Sequence, residues 1–221
     1  MMNERLQKDE PTAPDRPLVV IVDDDAAVRT SIEELMLSVG IDAAGFGSTR
    51  ELLEAKLPER PGCMVLDVRM PGSSGLDLQQ HLASAGNAKP IIFLTGHGDI
   101  PMSVQAMKAG AIDFLTKPVR DQSLLDAVTL GIERDLAQRV GAQITKLHAD
   151  RYGTLSPRER QVLRQVVQGR LNKQIAFDLG ISEVTVKLHR SSVMRKMAAN
   201  TVGELIRAWD LLPESLRHEG T

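Results

Sequence analysis

From residue 17 to residue 134, short continuous apolar runs alternate with stretches in which apolar residues recur at helical spacing. The continuous runs predict five strands, at residues 18–22, 43–46, 63–68, 91–95 and 112–116. The spaced stretches predict a helix after each strand, over residues 28–39, 48–57, 75–85, 100–109 and 121–134. Repeated strand–helix units of this kind predict a doubly wound, flavodoxin-like α/β domain with a five-stranded parallel sheet over residues 17–134.

The remainder of the chain shows helical spacing only. Residues 135–152 have a helix-forming composition but a broken apolar stripe, which predicts a helical linker interrupted near Gly141. Ser156 and Glu159 occupy the two positions of a capping box and predict the start of a helix. Further helices are predicted over residues 172–179, 182–197 and 201–212. An all-α four-helix domain is therefore expected over residues 153–214.

Charge is distributed unevenly between these two parts. Residues 1–150 carry 15 Lys and Arg against 22 Asp and Glu, whereas residues 151–221 carry 12 against 7. An acidic first part and a basic second part suggest different partners, and nucleic acid is the candidate for the second. A basic face that only meets solvent is the competing interpretation.

Composition also excludes several classes of protein. Cys63 is the only cysteine, which rules out a disulfide within the chain, and the five histidines lie too far apart to form a paired metal site. The sequence contains no apolar run of about 18 residues, and the N-terminus is polar and rich in proline. We therefore expect a cytoplasmic protein with no membrane association, a disordered extension over residues 1–16 and a flexible tail over residues 215–221.

Polar residues follow the predicted strands at positions that converge in a parallel sheet. They are Asp23 and Asp24 after the first strand, Asp67 at the third, Thr95 at the fourth and Lys117 after the fifth. The carboxyl ends of parallel strands share one edge, where open α/β sheets bind their ligands. A single aspartate there could merely cap a helix, but five polar residues at four strand ends predict a functional site.

The residue types at this edge point to phosphoryl chemistry. Three clustered carboxylates repel one another and need a cation, and oxygen ligands around an open site suit Mg²⁺. A lysine and a hydroxyl group facing the same point can then neutralise and hydrogen-bond a phosphoryl group. The expected chemistry is phosphoryl transfer to a carboxylate.

These residues stand in motifs that resemble the receiver domains of two-component response regulators. The motifs are VDDD at 22–25, LDVRMPG at 66–72, LTGHGD at 94–99 and KP at 117–118. The resemblance implies that Asp67 accepts a phosphoryl group from a sensor histidine kinase. It also implies that Mg²⁺ is held by Asp24, Asp67 and the backbone carbonyl of Arg69. Asp23 would contribute to the same ion through a water molecule.

The resemblance assigns three further roles around the phosphoryl group. Lys117 would pair with the phosphoryl oxygens. Thr95 and Phe114 would form the switch pair that rearranges when Asp67 is phosphorylated. For Phe114, plain packing in the core is the competing interpretation.

Haloacid-dehalogenase phosphatases offer an enzymatic alternative, because they also phosphorylate an aspartate at a strand end. Those enzymes carry a second acid two residues after the nucleophile. Here Arg69 stands two residues after Asp67, so no carboxylate is available for general acid catalysis. The sequence therefore favours a non-enzymatic switch over an enzyme with steady turnover.

In the second domain, the predicted helix over residues 182–197 carries apolar and basic residues on opposite faces. The face predicted to turn inward comprises Val186, His189, Val193 and Met197. The opposite face comprises Lys187, Leu188, Ser191 and Arg195, flanked by Arg190 and Lys196. A short turn with glycine joins this helix to the preceding one, which is the helix-turn-helix pattern. Such a basic and polar stripe can enter a DNA major groove.

The second domain resembles the LuxR/FixJ-type four-helix DNA-binding domain. The motifs are LSPRERQVL at 155–163, NKQIAFDLGIS at 172–182 and TVKLHRSSVMRKM at 185–197. With GHGD in the first domain, the chain is similar to the FixJ/StyR/TodT group of transcriptional activators. The resemblance implies base contacts by Lys187, Leu188 and Ser191. It implies phosphate contacts by Thr185, Arg190, Lys196 and Lys173, and a packing role for His189.

Together these features predict a response regulator that is not an enzyme. Its partners would be a sensor histidine kinase, promoter double-stranded DNA and RNA polymerase. Phosphorylation of Asp67 would produce a homodimer that regulates, and we expect activates, transcription. The alternative is a receiver-type switch that acts through protein partners and does not recognise a DNA sequence.

Overall fold

The computed structural model describes residues 16–71, 74–96 and 99–218, and the chain divides into two compact units over residues 1–138 and 139–221. The extension predicted over residues 1–16 lies outside the described residues, apart from Arg16. Within the described ranges, no helix is both long and apolar enough to cross a membrane.

The first unit contains a five-stranded parallel sheet in the order β2-β1-β3-β4-β5, which confirms the flavodoxin-like prediction. The strands are β1 (Leu18–Val22), β2 (Asp42–Phe46), β3 (Gly62–Leu66), β4 (Ile91–Thr95) and β5 (Asp113–Thr116). Strands β1, β3 and β4 are buried at every residue, as their continuous apolar sequences require. Because Val22 pairs with Leu66 across β1 and β3, the residues that follow these strands lie side by side.

Helices cover both faces of this sheet. They are α1 (Ala26–Ser38), α2 (Thr49–Glu54), α3 (Gly75–Ser84), α4 (Ile100–Lys108) and α5 (Asp121–Gly153). Alternate strand residues point to opposite faces: Val20 and Val22 pack with the helices α2, α3 and α4, whereas Val19 and Ile21 pack with α1 and α5. Helix α2 ends earlier than predicted because Ala55 adopts an extended backbone.

The interruption predicted near Gly141 is wrong. Helix α5 runs without a break from Asp121 to Gly153 and includes the whole predicted linker. A glycine within a helix costs only about 1 kcal/mol relative to alanine, and no proline removes a backbone donor in this stretch. The broken apolar stripe therefore reflects how much of the helix is exposed.

The second unit is all-helical. Its helices after α5 are α6 (Pro157–Val167), α7 (Asn172–Leu179), α8 (Glu183–Lys196), α9 (Val202–Asp210) and α10 (Glu214–Arg217). Ser156 and Glu159 form the predicted capping box of α6. The fully buried side chains of the second unit include Tyr152, Leu163, Ile175 and Leu205. The flexible tail predicted from residue 215 is wrong over α10, which Pro213 precedes, and residues 219–221 lie outside the described ranges.

Candidate functional sites

The three aspartates predicted to hold a metal converge at the carboxyl edge of the sheet. Asp23 follows β1, Asp67 follows β3, and both are buried, whereas Asp24 is exposed. One carboxylate oxygen from each residue lies within 4.8 Å of the others. Three oxygen donors on an open, partly exposed edge fit a hard divalent cation such as Mg²⁺.

Lys117 joins the two buried carboxylates of this pocket. It follows β5, and its Nζ lies 2.5 Å from Asp23 Oδ2 and 2.7 Å from Asp67 Oδ2. The lysine side chain is 20 % exposed, so the charge lies close to the surface while its partners lie below it. The peptide bond between Lys117 and Pro118 is cis. The ammonium group of Lys117 thus bridges the carboxylates that follow β1 and β3.

The electrostatics of the pocket follow from burial and from this ion pair. Burial raises the pKa of the Asp23 carboxyl, although hydrogen bonds from Lys117 and from the Asp25 N–H act in the opposite direction. Burial alone would lower the pKa of Lys117, but its hydrogen bonds to Asp23 and Asp67 outweigh that effect and raise it. Lys117 is therefore held in its charged form.

Backbone groups orient the two buried carboxylates. The Asp25 N–H donates to Asp23 Oδ1 over 3.0 Å, and the Arg69 N–H donates to Asp67 Oδ1 over 3.1 Å. Gly75 comes so close to the strand end that a Cβ there would lie 2.2 Å from the Asp67 carbonyl oxygen. Any larger residue at position 75 would push the segment that carries Asp67.

Thr95 and Phe114 occupy neighbouring strands beside the pocket. Thr95 ends β4 and is buried. Phe114 lies on β5 opposite Phe93 of β4, and their ring centroids are 6.0 Å apart. Phe114 is half-buried and packs against the core face formed with α2, α3 and α4.

In the second unit, α7 and α8 form a helix-turn-helix. Gly180 ends α7 with a left-handed backbone (φ 63°), and Ser182 caps α8 by accepting from the Thr185 N–H. Val186 and Val193 of α8 are buried, as is Met197 after it. Lys187, Leu188 and Ser191 are exposed on the other side, with Leu188 67 % exposed. The structure thus brings the three predicted base contacts together on one exposed face.

The predicted phosphate contacts are placed differently from one another. Lys173 is exposed on α7, and the half-buried Thr185 hydroxyl shares a hydrogen bond of 2.8 Å with Ser182. Arg190 is half-buried and donates to Asn172 Oδ1 over 2.8 Å, which links α8 to α7. His189 is half-buried.

Lys196 is engaged within the domain. Its Nζ lies 2.7 Å from Glu159 Oε2 and donates to the Thr154 carbonyl over 3.1 Å. Glu159 is buried and also accepts from the Ser192 hydroxyl over 2.6 Å. Burial would raise the pKa of Glu159, but hydrogen bonds from Lys196, Ser192 and Ser156 lower it to about 2. The buried carboxylate of Glu159 on α6 thus accepts hydrogen bonds from two residues of α8.

Sequence reasoning gave Glu159 only its capping role and missed its bonds to α8. The partners Lys196 and Ser192 are 37 and 33 residues further along the chain. Only a capping glutamate that is predicted to be buried, together with a lysine near the end of α8, could have suggested the pair. The Asn172–Arg190 bond was missed for the same reason, since it depends on the angle between two helices.

Comparison with known proteins gives the same division of the chain. Residues 19–129 match the family model described as response regulator receiver domain, and residues 153–208 match that of bacterial regulatory proteins, luxR family. Nodulation protein W of Bradyrhizobium diazoefficiens is 48 % identical over 92 % of this chain and 89 % of its own length. Response regulator protein TmoT of Ectopseudomonas mendocina is 48 % identical over 90 % of this chain and 91 % of its own.

Among solved structures, the chain is similar to the response regulator StyR. That structure shares 43 % sequence identity and a TM-score of 0.78, covering 88 % of this chain and 98 % of its own. The resemblance to the FixJ/StyR/TodT group is thereby confirmed.

Proposed function

Because the chain belongs to the response regulators that join a receiver domain to a LuxR-type DNA-binding domain, we propose that Asp67 is its phosphoacceptor and that phosphorylation there controls promoter binding. The single observation that carries this proposal is the position of Lys117 between Asp23 and Asp67. It supplies a positive charge beside Asp67, where it would pair with the oxygens of a phosphoryl group on that carboxylate.

In the proposed transfer, an Asp67 carboxylate oxygen forms a bond to the phosphorus of a kinase phosphohistidine. The P–N bond breaks, its electron pair stays on the imidazole, and Lys117 pairs with the phosphoryl oxygens. The negative charge added at Asp67 then attracts Lys117 away from Asp23. With Arg69 in the place of a second acid, the acyl phosphate persists as a signal.

Mg²⁺ would neutralise charge on the oxygens of the transferring phosphoryl group. Asp24, Asp67 and the backbone carbonyl of Arg69 would hold the ion, with Asp23 acting through water. The oxygen-only donor set around Asp23, Asp24 and Asp67 supports this assignment.

Phosphorylation adds about −1.5 to −2 charges to an acidic pocket, so the neighbouring side chains must rearrange. We assign the switch to Thr95 and Phe114, because Thr95 ends the strand beside Asp67 and Phe114 is only half-buried on the next strand. The rearrangement would expose a pairing surface of the receiver and produce a homodimer.

On DNA, the exposed face of α8 would enter the major groove. Lys187, Leu188 and Ser191 would contact bases. Thr185, Arg190, Lys173 and Lys196 would contact phosphates, and among these Lys196 has the strongest competitor within the chain, the buried Glu159. Two copies on two half-sites would then recruit RNA polymerase and activate transcription.

Labelling with ³²P-acetyl phosphate tests the phosphoacceptor. We expect about one phosphate per chain in the presence of Mg²⁺, and none after chelation with EDTA. Asp67→Ala should take up no label. As a control, Asp25→Ala alters a neighbouring carboxylate that caps α1 and should still be labelled. Stoichiometric labelling of Asp67→Ala would overturn the assignment.

A further inference from the structure

Helix α5 carries an exposed apolar stripe between residues 136 and 147. Leu136, Val140, Ile144 and Leu147 are each 40 % to 55 % exposed. Every residue from 136 to 148 is exposed or half-buried. Leaving four large aliphatic side chains partly in water along one continuous helix is unfavourable, at roughly 25 cal/mol for each Å² of apolar surface.

The spacing of the stripe is that of a coiled coil. Ala137, Val140, Ile144 and Leu147 follow one another at intervals of three, four and three residues, which makes two successive a/d pairs of a heptad repeat. The pattern ends at both sides, because Glu133 and Arg151 occupy the next core positions. A hydrophobic repeat of 3.5 residues drifts slowly around a straight α-helix, which has 3.6 residues per turn. When two such helices supercoil around each other, the repeat stays at their interface.

One of the two a/d pairs favours a particular number of strands. Ile144 stands at an a position and Leu147 at the following d position, and this combination favours two-stranded parallel coiled coils, whereas Ala137 and Val140 of the preceding pair do not add to that preference. We therefore propose that α5 pairs in parallel and in register with α5 of a second copy of this chain, through a seam formed by Ala137, Val140, Ile144 and Leu147.

The charges around the seam fit a second copy. Between the ends of the seam, the flanking positions carry no aspartate, glutamate, lysine or arginine; they are Leu136, Gly141, Gln143 and His148. Charged residues flank only its two ends, Arg134 beside Ala137 and Asp150 beside Leu147. The two basic residues of this stretch, Arg139 and Lys146, both fall at c positions, away from the partner helix. Two identical helices can therefore approach without bringing like charges together. A strongly charged partner of another kind would find no complementary charges between the two ends of the seam.

The length of the seam determines when it acts. From residue 137 to residue 147 it spans about 15 Å, so it supplies only two heptads. Such a short seam is weak on its own and gains strength when another contact raises the effective concentration of the second helix. The receiver pairing in the proposed function is such a contact, but the seam itself does not depend on it.

Cysteine cross-linking of the full-length protein tests the register. Cys63, the only native cysteine, is fully buried, and burial raises the pKa of its thiol to about 12, so it gives little background. We expect Leu147→Cys to form a disulfide-linked dimer on mild oxidation, and more of it after treatment with acetyl phosphate and Mg²⁺. Ala142→Cys, exposed on the opposite face of the same helix, is the matched control. Equal cross-linking of the two variants would overturn the proposal.

Sedimentation velocity of full-length Ile144→Lys separates this seam from the receiver contact. We expect the variant to raise the dissociation constant of the dimer by about tenfold or more, with Ala142→Lys close to wild type. A dimer that Ile144→Lys leaves unchanged would overturn the seam and leave the proposed function intact. If neither phosphorylated nor unphosphorylated wild type dimerises, both the seam and the dimer of the proposed function are wrong.

Discussion

Lys117 of the receiver pocket and Lys187 on α8 are both positive charges at a candidate functional site, but their surroundings differ. Lys117 lies between two buried carboxylates, 2.5 Å and 2.7 Å from its Nζ, whereas Lys187 is exposed on α8. The charge of Lys117 is already compensated by Asp23 and Asp67, so Lys117 would have to exchange a carboxylate for phosphoryl oxygens in the proposed function. The charge on the helix needs only to meet a DNA surface.

Lys196 shows that a position on α8 does not decide whether a lysine is paired within the protein or exposed to a ligand. It lies on the same helix as Lys187, yet it pairs with buried Glu159 in the way that Lys117 pairs with Asp67. The C-terminal domain therefore combines an internal ion pair between α6 and α8 with the exposed face that we propose as the DNA contact. Each of the following substitutions addresses one side of this comparison.

The largest effect is expected for Lys117→Met, which removes the cation between two buried carboxylates. Because these would then repel each other, we expect local stability around β1 and β3 to fall by about 3 to 4 kcal/mol without Mg²⁺. Millimolar Mg²⁺ should restore part of the loss. Hydrogen–deuterium exchange of peptides from β1 and β3 measures this, with the exposed Lys108→Met as control. Unchanged exchange would mean that the carboxylates do not depend on Lys117.

Glu159→Gln should lower the stability of the C-terminal domain by about 2 to 3 kcal/mol at pH 7. The pKa of Glu159 lies at about 2, below its usual value of 4.5, so its contribution is present above pH 4.5 and is lost as the pH falls towards 2. Urea unfolding followed by the fluorescence of Trp209, the only tryptophan, reports on this domain.

The pH dependence provides the control for this experiment. Glu159→Gln should show a flatter stability profile between pH 4.5 and pH 2 than the wild type does. Glu183→Gln, an exposed glutamate in the first turn of α8, should follow the wild type. If Glu159→Gln and Glu183→Gln have the same profile, the buried ion pair does not stabilise the domain.

On DNA, Lys187→Ala should cost about 1 to 3 kcal/mol in binding to a cognate site and much less on unrelated duplex. Lys196→Ala should weaken binding to the cognate site and to unrelated duplex by similar factors. It should also lower the slope of log affinity against log salt concentration by about one. Fluorescence anisotropy across a salt series measures these quantities. An unchanged salt slope for Lys196→Ala, together with loss of C-terminal stability, would assign Lys196 to the Glu159 pair alone.

The smallest effect is expected for Asn172→Ala, which removes the hydrogen bond from Arg190 that links α7 to α8. We expect a loss of about 1 kcal/mol in C-terminal stability, because one charge-assisted bond at a half-buried site is lost. Trp209 fluorescence during urea unfolding measures it, with Lys173→Ala on the same helix as the control. A loss as large as that of Glu159→Gln would show that the turn depends on more than this bond.

The pocket could be predicted from the sequence although its members are far apart. Asp23 and Lys117 are separated by 94 residues, but each follows an apolar run, and parallel strands bring their carboxyl ends to one edge. The five strands of the sheet and the buried face of α8 were also predictable, because each follows from a simple hydrophobic pattern.

The features that the sequence did not predict leave no periodic pattern of hydrophobic residues along the chain. The continuity of α5 through Gly141 depends on a small difference in helix propensity, and the helix α10 contains only four residues. The bonds of Glu159 depend on how α6 packs against α8. Local sequence gives the capping position of that glutamate but cannot indicate a partner 37 residues away.

We propose above all that phosphorylation of Asp67 controls binding to specific DNA. The most direct measurement is the affinity of the full-length protein for a duplex selected from a random-sequence pool, with and without acetyl phosphate and Mg²⁺. We expect phosphorylation to tighten wild-type binding by about tenfold or more, and to leave Asp67→Asn unchanged. Equal tightening in Asp67→Asn, or none in the wild type, would contradict the account.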